Sequence, residues 1–194
     1  MPKGNVVFML HAHLPYIHHP EHDFFLEENW LFEAITETYV PLLRMFKRLE
    51  KENKKFNLTM SITPPLMEML ANEDLQQKYI KRMEKLIELA EKEIDRTQKE
   101  NPKKHKMAEF YYDDFKKILY IFKDVYGGNI LNGFKEYMEK GYLDAVTCNA
   151  THGFLPFMEQ YPQAIRAQIE QGVKTYEKYM GTRPRGIWLA AVSY

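Results

Sequence analysis

Apolar residues along this chain follow two rhythms: short continuous runs, which mark buried strands, and three- or four-residue spacing, which marks amphipathic helices. Val6-Val7-Phe8-Met9-Leu10 is the first run and reads as a strand buried on both faces. His11-Ala12-His13 interrupts it and Pro15 stops it, because proline cannot donate to a sheet ladder. A loop over 13–27 carries His18, His19 and His22, and loops this long in compact domains usually carry function. Residues 28–50 then read as a helix with Leu31, Ile35, Leu42, Phe46 and Leu49 on its apolar face. Pro41 lies inside it and predicts a kink or a division.

Residues 57–63 form the second predicted strand, and Pro64-Pro65 ends it while opening a helix. Asn72-Glu73-Asp74 reads as a break with an N-cap. Two charged helical segments follow, over 75–99 and 104–125, separated by Asn101-Pro102. Together they exceed an ordinary crossover and predict a helical hairpin, about 73–125, inserted between strands two and three. A short helix over 129–140 closes at Gly141, the third strand covers 143–148, and a helix runs from Pro162 to Gly181. The fourth strand is predicted over 184–189. Strands alternating with helices imply an α/β fold with parallel strands. About four of them form one domain over 1–194. A parallel sheet whose last strand has no covering helix reads as part of a larger one.

Composition narrows the function classes. Hydrophobic residues make up 45% and aromatics 14%, a globular composition. Lys+Arg and Asp+Glu both number 27, so no net charge draws nucleic acid or an anionic membrane. The single cysteine, Cys148, cannot form an internal disulfide or a thiolate zinc site alone. No signal-peptide pattern opens the chain and no apolar run is long enough to span a bilayer, so a cytoplasmic location is expected. No cofactor is called for.

The chemistry concentrates at strand ends, where ligands sit in α/β folds. His11 and His13 end the first strand, His152 follows the third, and Trp188 lies on the fourth. An isolated H-x-H is more often a hydrogen-bonded structural pair; convergence at strand ends points instead to a site. Glu28 and Trp30 open the first helix, where an acid also suits the helix dipole and an indole also suits a core.

With these stretches assembled, the chain resembles glycoside hydrolase family 57, narrowly its α-glucan branching enzymes and amylase-like members. The matching residues are His11-Ala12-His13-Leu14-Pro15-Tyr16, Glu28-Asn29-Trp30-Leu31-Phe32-Glu33, Leu58-Thr59-Met60-Ser61-Ile62-Thr63-Pro64-Pro65, Val146-Thr147-Cys148-Asn149-Ala150-Thr151-His152-Gly153-Phe154 and Pro184-Arg185-Gly186-Ile187-Trp188-Leu189. The resemblance covers this chain but only the N-terminal part of a family member. It implies an incomplete (β/α)7 barrel and a retaining mechanism on α-1,4-glucan, with a nucleophile and an acid/base carboxyl about 5–5.5 Å apart. It also implies that His11, His13, His152, Glu28, Trp30 and Trp188 bind α-glucan or maltooligosaccharide. The family's nucleophile is a glutamate in a Trp-Leu-x-Glu pattern; here Trp188-Leu189-Ala190-Ala191 puts Ala191 in its place. The acid/base aspartate is expected beyond Tyr194. On this reading the chain is catalytically inactive and its last residues mark a gene interruption. A separately encoded remainder or a second copy is an expected partner. Two alternatives stand beside it: a non-catalytic glucan-binding remnant, and a metal-dependent, deacetylase-like barrel using the H-x-H pair.

Overall fold

The computed structural model describes residue 4 and residues 6–190. It resolves into two compact units. One contains the described residues up to Ile17, Met45–Ala71 and those from Leu131 onward; the other contains His18–Arg44 and Asn72–Ile130.

The first unit holds a parallel sheet of three strands in the order β1-β2-β3: β1 (Met9–Ala12), β2 (Leu58–Ile62) and β3 (Leu143–Val146). β1 pairs with β2 in a register that sets His11 against Ser61. The apolar run predicts a strand from residue 6, but pairing starts at Met9. The Phe8 carbonyl still accepts the Thr59 N–H, at 3.2 Å, but Val6, Val7 and Phe8 are exposed. Met60, Ile62, Leu143 and Ala145 are buried with Phe46, Leu66 and Tyr137.

The expected fourth strand is reduced to one parallel bridge, Thr147 to Ile187. Thr147 N–H donates to the Gly186 carbonyl (3.3 Å) and Trp188 N–H to the Thr147 carbonyl (2.8 Å). Alternate residues of a parallel ladder face the same neighbour, so the next bond would run from Gly186 N–H to the Ala145 carbonyl. The Tyr176 hydroxyl takes that carbonyl instead, at 2.9 Å. Tyr176 lies on α7 (Pro162–Met180), which opens on proline and closes at Gly181 with φ +75°. Between β2 and β3 this unit also carries α3 (Pro64–Leu70) and α6 (Leu131–Glu139); α3 packs on α7.

The second unit is helical. α1 (Glu28–Glu33) passes through a π-helical segment, Ala34–Tyr39, into α2 (Val40–Lys51), whose residues from Met45 onward count with the first unit. The division predicted at Pro41 therefore takes the form of a widened turn just before it. Val40 N–H reaches back to the Ile35 carbonyl, and a turn of this kind re-satisfies backbone groups that proline disturbs. α4 (Glu73–Thr97) is capped by the Asn72 side chain, which accepts from Leu75 N–H, and α5 (Pro102–Tyr120) by Asn101. The two helices pack on each other as the expected hairpin. Phe32, Tyr79, Met83, Ile118 and Phe122 are buried in this unit. Among the described residues, no helix is long and apolar enough to cross a membrane.

Candidate functional site

At the carboxyl end of the sheet, strand pairing builds a cluster of imidazoles from the backbone upward. Side chains of a strand alternate between faces, so His11 and His13 share one face, as do Ser61 and Thr63. The β1–β2 register sets the two pairs side by side. His11 Nδ1 makes a short hydrogen bond with the Ser61 hydroxyl, and His13 Nδ1 lies 3.1 Å from the Thr63 hydroxyl. Ser61 and Thr63 are fully buried.

His152 arrives from the turn after β3. Its φ of +55° is left-handed, an uncommon conformation for a residue with a side chain. Neighbouring bonds hold it there. His152 N–H donates to the Asn149 carbonyl, and Asn149 Nδ2 donates to the Gly153 carbonyl at 3.0 Å. Gln168 of α7 accepts from the Thr151 N–H at 3.0 Å and from its hydroxyl at 3.2 Å. α7 approaches this turn through Gly172, where a Cβ would stand 2.2 Å from the Cys148 carbonyl oxygen; a glycine permits that close approach.

The three rings meet. His11 Nε2 lies 3.3 Å from His152 Nε2, and the His13 and His152 ring centroids are 4.0 Å apart. The Trp188 indole stands 6.1 Å from the His11 ring. Burial lowers the pKa of all three histidines. His13 falls to about 4, with His152 and His11 adding to the effect of burial. All three are neutral at pH 7. Each neutral imidazole offers one donor and one acceptor, which suits uncharged hydroxyl groups. Among the described residues, none of the three hydrogen-bonds a carboxylate, and no three His, Cys, Asp or Glu side chains are placed to hold a metal ion.

Four of the expected site residues thus gather: His11, His13, His152 and Trp188. Glu28 and Trp30 belong to the helical unit. Glu28 is buried in an ion pair, its Oε1 accepting from Lys78 Nζ at 3.0 Å and from His19 N–H at 2.9 Å. Lys78 also reaches Asp74 at 3.2 Å and the His19 carbonyl at 2.8 Å. Glu28 Oε2 has no partner among the described residues. Trp30 is half exposed. Ala191 lies outside the described residues. Ser61, Thr63 and Gln168 were not picked out from the sequence as site residues. Ser61 and Thr63 share with His11 and His13 a polar i, i+2 spacing at the end of a buried strand, a signal that pairs them once register is known.

The model of glycosyl hydrolase family 57 matches residues 7–194. The chain belongs to this family. Its α/β sheet and helices form part of the family 57 (β/α)7 barrel, as the solved structures of relatives confirm. The α-amylase AmyC from Thermotoga maritima superposes with a TM-score of 0.92 at 64% identity, over 96% of this chain and 35% of that one. The family 57 branching enzyme from Pyrococcus horikoshii gives 0.88 at 39% identity, over 97% and 35%. The 1,4-alpha-glucan branching enzyme TK1436 from Thermococcus kodakarensis is 37% identical over 193 residues, 99% of this chain and 27% of that enzyme. Its structure, solved with glucose, gives a TM-score of 0.87. The chain spans about a third or less of the length of these family 57 relatives.

Proposed function

We propose that this chain carries the histidine-lined part of a family 57 sugar-binding site, takes α-1,4-glucan or maltooligosaccharide there, and does not turn it over. One observation carries the reading: three neutral imidazoles converge at the carboxyl end of a parallel sheet, with an indole beside them and, among the described residues, no carboxylate bonded to any of them. Neutral donors and acceptors match a polyol, and indole faces pack on pyranose rings. The relatives support the ligand class. They are named as an amylase and branching enzymes, and TK1436 was solved with glucose.

The absence of turnover follows from the family pattern carried onto this sequence. Ala191 stands where the nucleophilic glutamate is expected, and a methyl group cannot attack an anomeric carbon. Losing one such group costs orders of magnitude in rate. Glu28 and Trp30 contribute to the ligand surface only if the helical unit reaches the bound glucan.

Calorimetric titration with maltoheptaose, run beside an iodine-staining assay on amylose, tests this reading. Binding without loss of iodine colour is expected, with binding abolished in the His11→Ala, His152→Ala double variant. Absence of binding in the parent would overturn the ligand assignment, and turnover of amylose would overturn the inactivity.

A further inference from the structure

We propose that Ser61 is a positioning residue that fixes the tautomer of His11, so that His11 and His152 together offer one acceptor and one donor to a single sugar hydroxyl. The choice of a sugar rests on the glucan reading above; the tautomer is a property of the free chain.

The Ser61 hydroxyl sits fully buried between two partners. It hydrogen-bonds His11 Nδ1 on one side and lies beside the Cys148 sulfur, within its reach, on the other. His11 continues the row through Nε2 to His152 Nε2. The row ends at His152 Nδ1, which is buried and has no hydrogen-bond partner among the described residues.

Two arrangements of protons fit this row. In one, the thiol donates to Ser61, Ser61 donates to His11 Nδ1, and His11 Nε2–H donates to His152. His152 must then carry its proton on Nδ1, a buried N–H with nothing to accept it. Stranding a strong donor in this way is costly and rare. In the other arrangement every bond runs the opposite way. His152 Nε2–H donates to His11 Nε2, His11 Nδ1–H donates to Ser61, and Ser61 donates to the Cys148 sulfur. Only a bare lone pair on His152 and a thiol hydrogen, a weak donor, go without partners. The geometry selects this second arrangement. Burial keeps both rings neutral and the thiol protonated, its pKa pushed up to about 12, so the row carries no charge that would reverse it.

The consequence lies at the 3.3 Å contact between the two Nε2 atoms. His11 presents an acceptor there and His152 a donor. A hydroxyl has one hydrogen to give and lone pairs to receive, so a single sugar hydroxyl that displaces this contact, the two rings parting to admit it, satisfies both at once. Without the Ser61 acceptor, His11 is free to move its proton to Nε2, and the pair then presents two donors or a mismatched contact.

Long-range nitrogen NMR of the histidine rings in the full chain at pH 7 reads the tautomers directly. In the parent, His11 is expected to be protonated at Nδ1 and bare at Nε2. Ser61→Ala is expected to shift His11 toward the Nε2–H form and to weaken maltoheptaose binding about tenfold, the cost of one mismatched hydrogen bond. Ser61→Thr, which keeps the hydroxyl, should retain the parent tautomer. Cys148→Ala removes the acceptor of the Ser61 hydroxyl and should flip His11 while the fold is kept, so it decides the matter if Ser61→Ala does not fold. A parent His11 protonated at Nε2, or a tautomer indifferent to both substitutions, would overturn the assignment. If the parent binds no glucan, the ligand reading fails on its own, and the NMR result still decides the role of Ser61.

Discussion

Two polar clusters in this chain, one partly open to solvent and one buried, handle charge in opposite ways. The histidine cluster of the sheet unit stays neutral: burial pushes its pKa values down, His11 and His13 lean on hydroxyls, and His152 leans on His11. The Glu28 cluster of the helical unit stays charged. Burial of Lys78 disfavours its charge, but the hydrogen bonds it donates to Glu28 and Asp74 outweigh that and raise its pKa. Among the described residues both keep a buried atom without a hydrogen-bond partner, His152 Nδ1 in the first and Glu28 Oε2 in the second. A charged pair this buried is committed to its partner. A neutral imidazole can exchange its partner for a ligand hydroxyl at little electrostatic cost. The contrast supports the proposal that the histidines meet ligand, and it gives Glu28 a partner that holds it in the fold.

The sharpest way to break this contrast is Lys78→Met, which leaves Glu28 as a lone buried charge. A loss of about 3–5 kcal/mol of unfolding free energy is expected from denaturant titration, with much of it restored by adding Glu28→Gln. If the single substitution is nearly neutral, Glu28 is not held by its charge pair. Next in size is Gly172→Ala. The new Cβ meets the backbone of Cys148 and Asn149, so overpacking should cost about 1–3 kcal/mol and displace the turn that carries His152. The test is a parallel fall in stability and in maltoheptaose affinity.

Acid sharpens the neutral side. The His13 pKa lies at about 4 in the fold, below its ordinary 6.5. Between those values the unfolded chain binds more protons than the folded one, so stability is full above about pH 6.5 and falls as pH drops toward 4. His13→Gln should flatten that slope relative to the parent, as followed by melting temperature against pH. An identical slope in both chains would show that His13 is not buried neutral. The smallest effect is expected from Trp30→Ala. Its exposed indole should leave stability within about 0.5 kcal/mol, so any loss of glucan affinity in this variant would report contact with the ligand.

What could be read from the sequence was local. Asn72 and Asn101 cap the helices that follow them, Pro64 and Pro162 open helices, and Gly181 closes one in the left-handed region, because each acts within a turn of its own position. Pro41 signalled a break but not its π-helical form. The fourth strand was overdrawn because a residue from another element, Tyr176, takes its ladder acceptor. At the site, His11, His13 and His152 stood out by residue type and by their place at strand ends. Ser61 and Thr63 did not, since their role depends on a register set by pairing across some 50 residues. The ion pair of Glu28 was hidden for the same reason: Lys78, its partner, is equally far away in sequence.

The central claim, that the neutral histidine cluster receives glucan, is tested most directly by following histidine ring signals while maltoheptaose is added at pH 7. His11, His13 and His152 should shift together and saturate at one affinity, while His105 on α5 stays fixed. Ring signals of the three that do not move, or that move no more than His105, would contradict the account.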